Sequence, residues 1–297
     1  MVFMKKLIFV FCFFFLHGII SANDFEKVEK ELAFHADVML NAQKAEHRMS
    51  SAHTFYNLFY ETLNKEGSFS YSFDSLIWIS QKKPDDLSFR IFTWIVDEGN
   101  GNFSHKGLLQ MASGKVFSLE NRLKQNDDWE FFISGRDDWM GAMYYHLMED
   151  EYKGEKQYLL FGFHRFDEKE NIKMVDVLYF DKKGEPVFGK EIFKKKVENA
   201  RDIIKTRIVL KYSVDSYVGL HYNESMGMII HDYLIRSISM GNNERMSLVS
   251  DGSLVGYEKK DRYWEYIDKI YTQILDEAPR PKPVLDKRNK NLFGDKP

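Results

Sequence analysis

Residues 88–102 read SFRIFTWIVDEGNGN and predict the start of an antiparallel sheet. The first nine of these residues are rich in aromatic and β-branched side chains, which favour extended strands. They are followed by the dipeptide Asn100-Gly101, a strong signal for a tight hairpin turn. The stretch therefore predicts a strand that returns on itself through a hairpin.

Similar short strands are predicted on both sides of this hairpin. In the second half of the chain they recur about every ten residues, a spacing typical of antiparallel sandwiches and meanders. No clean repeat accompanies the spacing, so a propeller is not favoured. The other predicted strands are residues 71–80, 105–112, 115–119, 143–147, 158–164, 173–180, 207–212, 217–222, 227–233, 253–257 and 263–267.

Two stretches of unusual charge divide the rest of the chain. The segment 194–206, KKKVENARDIIKT, is predicted to be a charged linker between a first β-rich region, residues 67–193, and a second, residues 207–276. Residues 277–297 contain most of the prolines and many lysines and arginines. This composition predicts a flexible C-terminal tail.

The segment before Gly67 has a helical period instead of a strand period. Apolar residues advance by three or four positions through residues 23–66, and no proline interrupts them. The segment is therefore predicted to be either one long helix or two helices separated near Ser50 and Ser51. The apolar positions are Phe25, Val28, Leu32, Ala36, Met39, Ala42, Ala52, Phe55, Leu58, Phe59 and Leu63.

Together these patterns predict an α+β fold that is mainly β, with an N-terminal helical segment followed by antiparallel sheets in a sandwich or meander. One alternative concerns the helical segment alone. It could serve as an oligomerisation or docking element, in which case its apolar stripe would be exposed in an isolated chain.

Residues 1–22, MVFMKKLIFVFCFFFLHGIISA, have the pattern of a secretory signal peptide. Lys5 and Lys6 precede an unbroken apolar run over residues 7–16, and a small residue, Ala22, stands at a plausible cleavage point. The run is shorter than the roughly 20 apolar residues that cross a bilayer. Cleavage is therefore predicted, with an uncleaved N-terminal anchor as the alternative. No membrane span is expected in the mature chain.

The composition narrows the classes of function. The chain has 297 residues, a formal net charge of −3 and one cysteine, Cys12. This charge argues against a nucleic-acid-binding protein, and a single cysteine excludes a disulfide framework and a cysteine-based zinc site. Cys12 lies inside the signal segment and follows Phe11, where a lipoprotein signal needs a small residue. The exported chain is therefore expected to lack cysteine and lipid.

The remaining histidines suggest one conceivable site. Those of the helical segment are not spaced four apart, so they predict no helical metal site. His221 and His231 flank a predicted hairpin and, with Asp232, would form a metal or acid–base cluster if the strand register placed them opposite each other. Structural or surface roles are the favoured interpretation of both histidines.

Acidic residues and short motifs offer no catalytic site. Neighbouring acidic residues such as Asp137 and Asp138 point to opposite faces of a strand, and solvated turns explain them better. The loop 97–102 has glycine at positions 99 and 101, where a calcium loop needs side-chain oxygens. The chain contains no G-x-S-x-G, G-x-G-x-x-G or G-x-x-x-x-G-K-[ST] motif. No catalytic, cofactor-binding or metal-ligating residue is predicted.

Aromatic residues make up 15% of the chain, and they have two interpretations. They could line a surface that binds a glycan or a peptide. They could instead fill the core between sheets, which is the favoured interpretation because aromatic side chains on strands are mostly buried. The tryptophans concerned are Trp78, Trp94, Trp129, Trp139 and Trp264.

Several segments in the order WMGAMYY (139–145), YLLFGF (158–163), VLYFD (177–181), VFG (187–189), IIHDYL (229–234) and SDGS (250–253) resemble a group of exported, uncharacterised proteins of Bacteroidota. The resemblance covers roughly residues 70–267, and it departs from the group at Phe161-Gly162-Phe163, where an aromatic residue followed by Asp is expected. It implies a Gram-negative cell envelope, in the periplasm or near the outer membrane. It implies no catalytic residue.

The leading functional hypothesis is a non-catalytic envelope protein that binds or scaffolds an envelope protein or a glycan. The alternative is a carboxylate-dependent hydrolase of envelope glycan. A hydrolase needs a concave pocket with two carboxylates, or a carboxylate and a histidine, at catalytic distance.

Overall fold

A computed structural model describes residues 22–121, 128–238 and 246–270. It confirms an α+β fold that is mainly β, with two N-terminal helices followed by antiparallel sheets. The predicted signal peptide, apart from Ala22, and the predicted tail, residues 277–297, lie outside the described residues. Among the described residues, neither helix is both long and apolar enough to cross a membrane.

Over the described residues, the regular structure comprises two α-helices, two short 3-10 helices and fifteen strands. The helices are α1 (Ala22–Asn41) and α2 (Ala45–Leu63). The strands are β1 (Ser80–Lys82), β2 (Phe89–Gly99), β3 (Asn102–Met111), β4 (Val116–Glu120), β5 (Met143–Tyr152), β6 (Glu155–Arg165), β7 (Glu170–Phe180), β8 (Pro186–Phe188), β9 (Phe193–Lys195), β10 (Ile203–Lys205), β11 (Ile208–Ser213), β12 (Leu220–Asn223), β13 (Met228–Ile238), β14 (Met246–Lys260) and β15 (Tyr263–Ile267).

The strands form three sheets. The first sheet has the order β1-β2-β3-β4, and the second has the order β11-β7-β6-β5 with β8 also paired to β7. The third sheet has the order β10-β9-β15-β14-β13-β12. Among the fifteen strands described, each pairing is antiparallel except that of β15 with β9. Three consecutive meanders, β2 to β4, β5 to β7 and β12 to β15, account for most of the ladder, as the regular strand spacing predicts.

Alternation along the central strands shows how the layers stack. Tyr158 and Leu160 of β6 pack in a core shared with the first sheet. Their neighbours Leu159 and Phe161 pack in a core shared with the third sheet. The second sheet is therefore buried on both faces, which explains why β6 and β7 are apolar at consecutive positions instead of at every second one. The layers follow the order helices, first sheet, second sheet, third sheet.

The apolar stripe of the helices packs on the outer face of the first sheet. Phe55 and Phe59 contact Trp94 and Phe92 edge to face, at centroid distances of 5.1 and 4.7 Å. The buried residues of both helices and of this face form one cluster. Because the sheet of the same chain covers the stripe, the docking alternative has no exposed stripe to use.

The break between the helices lies at residues 42–44, so its predicted position near Ser50 and Ser51 is wrong. The Arg48 guanidinium donates hydrogen bonds to the carbonyl oxygens of Ala42 and Gln43 at 2.9 and 3.0 Å, and to that of Asp97 at 2.7 Å. These bonds fix the interhelical turn against the end of β2. Ser51 instead lies inside α2 and is buried.

The predicted strand over residues 71–80 is also wrong, since only Ser80 belongs to a strand, β1. The buried residues of this segment, Phe73, Leu76 and Ile79, recur every third position instead of every second. Glu29 of α1 holds the segment in turns, because its carboxylate accepts hydrogen bonds from the Tyr71 hydroxyl and the Ser75 amide. Aromatic and β-branched content favours a strand here, and this tertiary contact overrides it.

The predicted charged linker, residues 194–206, contains strand residues. Its two ends pair as the antiparallel strands β9 and β10, at one edge of the third sheet. The strand that follows, β11, returns to the second sheet and pairs with β7. Lys194 and Asp202, both in this segment, form an ion pair of 2.9 Å. Backbone hydrogen bonds therefore cross the predicted boundary between the two β-rich regions.

The tryptophans follow the core interpretation in four cases of five. Trp94, Trp129, Trp139 and Trp264 are buried. Trp78 is half-exposed in the turns that precede β1, beside the strongly exposed Ile77.

Candidate functional site

A cavity of about 310 Å³ opens between the first and second sheets. Two buried histidines line it, His105 from β3 and His164 from β6. We call this space the imidazole cavity. Its other lining residues are Glu98, Phe103, Ser104, Lys106, Asn121, Trp129 and Phe166.

Strand alternation brings the two histidines together. His105 has the same phase along β3 as Leu109, and His164 has the same phase along β6 as Leu160, and both leucines pack between the first and second sheets. The imidazole rings stack in parallel, with centroids 3.8 Å apart and an interplanar angle of 4°. Two polar side chains thus occupy facing core positions.

Hydrogen bonds define which nitrogen carries the proton in each neutral imidazole ring. Nε2 of His105 accepts a hydrogen bond from the Arg165 amide at 3.1 Å, so in the neutral ring the proton is on Nδ1. His164 donates from Nδ1 to the Gly141 carbonyl oxygen at 2.5 Å, which leaves a lone pair on Nε2. Within the described chain, Nδ1 of His105 is buried and has no hydrogen-bond partner. Among the residues that the structure describes, the pair therefore has one N–H donor and one acceptor without a protein partner.

Burial keeps both rings neutral. It lowers the pKa of His164 to about 4. It also lowers the pKa of His105 well below its ordinary value, and repulsion from a charged His164 acts in the same direction. Neither pKa shift has a carboxylate among its causes, so no acidic side chain of the described residues, Glu98 of the lining included, forms a charge pair with either ring.

Aromatic side chains form much of the wall. The Trp129 ring meets His164 edge to face, at a centroid distance of 5.2 Å, and it meets Phe166 in the same way at 5.9 Å. Phe103 lines the wall on the β3 side and has the Arg165 guanidinium over its ring. The exposed Glu98 and the half-exposed Lys106 contribute opposite charges to the lining. The cavity lining thus combines three aromatic side chains with the two imidazoles and with polar and charged groups.

Acid is expected to destabilise the protein through these histidines. An imidazole with a folded pKa of about 4 binds fewer protons than the unfolded chain, in which its pKa is about 6.5. The stability that depends on the neutral ring is complete above pH 6.5 and declines as the pH falls to about 4. Linkage gives a loss of about 2 to 3 kcal/mol for His164 over that range. Denaturant unfolding at several pH values measures it.

The comparison for this prediction is the variant His164→Phe, which has no titrating group at the position. Its unfolding free energy should depend less steeply on pH between 6.5 and 4 than that of the wild type. Equal slopes would show that the buried imidazole contributes nothing to acid sensitivity.

The cluster considered for His221 and His231 does not form. The register pairs His221 with Ile230 and His231 with Leu220, so the two histidines point to opposite faces of the third sheet. His221 is exposed, whereas His231 is buried and its Nδ1 bonds to the carbonyl oxygen of Asp232. The Asp232 carboxylate accepts a hydrogen bond from the Gly219 amide. His231 and Asp232 therefore have structural contacts, and His221 lies at the surface.

The acidic hairpin loop, residues 97–102, is a turn. Asn100 and Gly101 both have positive φ angles, 55° and 77°, as a two-residue hairpin turn requires. The Asp97 carboxylate accepts a hydrogen bond from the Gly99 amide and lies 3.3 Å from the Arg48 guanidinium. Among the described residues, no group of three or more His, Cys, Asp or Glu side chains could hold a metal ion.

The carboxylates of another recess do not resemble a hydrolase site. A recess of about 430 Å³ contains Asp251 and Asp268. Ser253 donates its amide and hydroxyl hydrogens to Asp251 and thereby lowers the pKa of that carboxyl. A general acid needs the opposite shift. Over the described residues, each carboxyl group whose pKa departs from its ordinary value has a lowered pKa. These groups are Glu26, Asp86, Asp181, Asp202, Asp251 and Glu265.

Comparison of the chain with protein-family models, curated proteins and solved structures found no match. The resemblance to exported proteins of Bacteroidota stays a prediction.

The sequence patterns do not single out His105 or His164. A usable signal is present in hindsight, because each is a polar residue at the inward phase of a strand whose other inward positions are apolar or glycine. In β3 the inward series contains His105, Gly107 and Leu109, and in β6 it contains Leu160, Gly162 and His164. The alternation marks each residue as buried, but it does not show that the two face each other.

Proposed function

We propose that the protein is an exported cell-envelope protein that binds a small ligand, without catalysis, in the imidazole cavity. The observation that carries this proposal is the buried His105 Nδ1–H, which has no partner in the described chain and belongs to a ring that lines the cavity. A buried donor without an acceptor costs about 1 to 3 kcal/mol. Nδ1 has almost no exposed surface of its own, so a ligand that accepts this hydrogen bond displaces the atoms around it and then recovers part of that cost.

The titration of the pair favours binding over catalysis. A general base works best when its pKa is near the operating pH. His164, with a pKa of about 4, is a weak base at neutral pH, and the pKa of His105 is also well below its ordinary value. The glycan-hydrolase alternative has no carboxyl group with a raised pKa to support it among the described residues. Glycan cleavage by the purified protein would restore that alternative.

The location in the envelope is proposed on two grounds. Residues 1–22 have the pattern of a signal peptide, and the strand-and-turn segments resemble exported proteins of Bacteroidota. The cell-envelope ligand could be a glycan or a group on another envelope protein. The periplasm or the vicinity of the outer membrane follows from the same grounds.

Cell fractionation and native mass spectrometry test both parts of the proposal. The full chain is produced in a Gram-negative host. The protein is purified from the periplasm and incubated with an extract of the host's cell envelope. We expect recovery from the periplasm with an N-terminus near Ala22, and a mass shift from one retained ligand. The variant His105→Phe should lose the ligand.

The control is His53→Phe, which replaces an exposed histidine on α2 and should retain the ligand. Thermal unfolding shows whether each variant is folded. If His105→Phe retains the ligand, the site lies elsewhere. If neither the wild type nor any variant retains a ligand, the binding proposal is contradicted. Recovery from the cytoplasm with residues 1–22 intact would contradict export.

A further inference from the structure

The chemistry of the imidazole cavity indicates which class of ligand it takes, provided that the cavity is the binding site proposed above. We infer that the ligand is a neutral sugar, bound as one pyranose ring or as the end of a glycan. Three properties of the cavity lead to this class: its unused hydrogen-bonding groups, its aromatic wall and its balance of charge.

The unused hydrogen-bonding groups match a hydroxyl group. Among the described residues, the Nδ1–H of His105 and the Nε2 lone pair of His164 have no hydrogen-bond partner, and the two rings are stacked 3.8 Å apart. A hydroxyl group both accepts and donates, so a single hydroxyl or two adjacent ones can satisfy both nitrogens. A carboxylate or a phosphate accepts only and would meet the His164 lone pair with a second acceptor. An ammonium group donates only and would leave the His105 donor unpaired.

The wall matches the other side of a sugar ring. Trp129, Phe103 and Phe166 all line the cavity, and the Trp129 ring is packed against both His164 and Phe166. The C–H groups on one face of a pyranose are apolar and pack on aromatic rings, while its hydroxyl groups remain at the edge. A cavity of about 310 Å³ is at the small end of ligand sites, which suits a single ring.

The charges of the cavity do not favour an ion. Glu98 and Lys106 cancel each other in the lining, and the two imidazoles at the base are uncharged. Placing a net charge beside uncharged buried groups costs more than placing a hydroxyl group there, because the charge loses its hydration without gaining a partner. A neutral ligand avoids this cost.

Calorimetry and tryptophan fluorescence on the wild-type protein test the inference. The probes are glucose, galactose, mannose and N-acetylglucosamine, with glucuronate and glucosamine as their charged counterparts. We expect at least one neutral sugar to bind saturably and to change the tryptophan emission. We expect a charged counterpart to bind at least about tenfold more weakly, the equivalent of one lost hydrogen bond.

Two variants locate the binding. Trp129→Phe keeps an aromatic ring in the wall and should abolish most of the fluorescence change while calorimetry still detects the sugar. His105→Phe should weaken neutral sugars by about tenfold or more, and the exposed replacement His53→Phe should not. If His105→Phe unfolds, the wild-type sugar panel and Trp129→Phe still decide the outcome.

The outcomes separate this inference from the proposed function. Retention of an envelope ligand through His105, with no binding of any neutral sugar, would overturn the sugar inference and leave the binding proposal standing. Tighter binding of glucuronate or glucosamine than of the neutral sugars would do the same. Absence of both sugar binding and a retained envelope ligand would overturn the two together.

Discussion

Replacing Asp176 with alanine is expected to lower the free energy of unfolding by about 3 to 5 kcal/mol. The Asp176 carboxylate and the Arg207 guanidinium are both completely buried, with Nε of Arg207 3.0 Å from Oδ1 of Asp176. Removal of the carboxylate leaves the guanidinium charge buried without its counter-charge. The loss of an ion pair's partner in such surroundings is among the largest effects that a single substitution produces.

The surroundings of the pair add to this effect. The Tyr144 hydroxyl donates to Oδ2 of Asp176 at 3.3 Å and accepts from the Trp139 indole N–H at 2.8 Å. Nη1 of Arg207 donates to the carbonyl oxygens of Trp129 and Phe132 at 2.8 and 2.6 Å. The network therefore holds β7 against the segment that carries Trp129. Its loss should also loosen a wall of the imidazole cavity.

Denaturant unfolding followed by circular dichroism measures the change. The matched control is Glu26→Ala, which removes an exposed ion pair with Lys30 on α1 and should leave the stability nearly unchanged. The double variant Asp176→Leu with Arg207→Met should be more stable than Asp176→Ala, because it leaves no unpaired charge. A loss of less than about 1 kcal/mol for Asp176→Ala would contradict the assignment of a stabilising pair.

Replacing Gly141 with alanine is expected to cost about 3 to 4 kcal/mol and to remove ligand binding. Gly141 has a φ angle of +75°, which disfavours any side chain. A Cβ atom there would overlap Nδ2 of Asn121 and would lie 2.7 Å from Cβ of His105. The Gly141 carbonyl oxygen also accepts the His164 hydrogen bond. The substitution therefore strains the backbone and displaces both imidazoles.

The control for this prediction is Gly114→Ala in the β3–β4 turn. Gly114 has a similar φ angle of +90°, but no atom lies within 4 Å of a Cβ placed there. Only the backbone strain applies, at about 1 to 2 kcal/mol. Thermal and denaturant unfolding of both variants separates the strain from the clash. Equal costs for the two substitutions would show that the space around Gly141 is not restricted.

The local sequence pattern predicts most of the strands, because in a meander each strand pairs with one that is close to it in sequence. The hairpin at Asn100-Gly101 is found where it is predicted, and the turn at Ser113-Gly114 lies between the predicted strands 105–112 and 115–119. Glycine and asparagine tolerate the backbone angles of tight turns. The same reasoning is wrong for residues 71–80. There the outcome depends on Glu29, which lies on another element and accepts hydrogen bonds from the segment.

The candidate site shows the limit of sequence patterns most clearly. His221 and His231 are close in sequence, but a register that pairs each with an apolar residue separates them onto opposite faces. His105 and His164 are far apart in sequence, but the stacking of two sheets brings their rings into contact. The residue type shows that each histidine can take part in acid–base chemistry or binding. The distance between two histidines depends on how the sheets pack.

The amino-acid sequence by itself determined the mainly β character of this protein, its helical start and most of its turns. The physical reason is that side-chain periodicity and the backbone preferences of glycine and asparagine act over a few residues. Only the tertiary structure decided the stacking of three sheets, the burial of Asp176 with Arg207 and the pairing of His105 with His164. These depend on register and on contacts between distant segments, which local preferences do not specify.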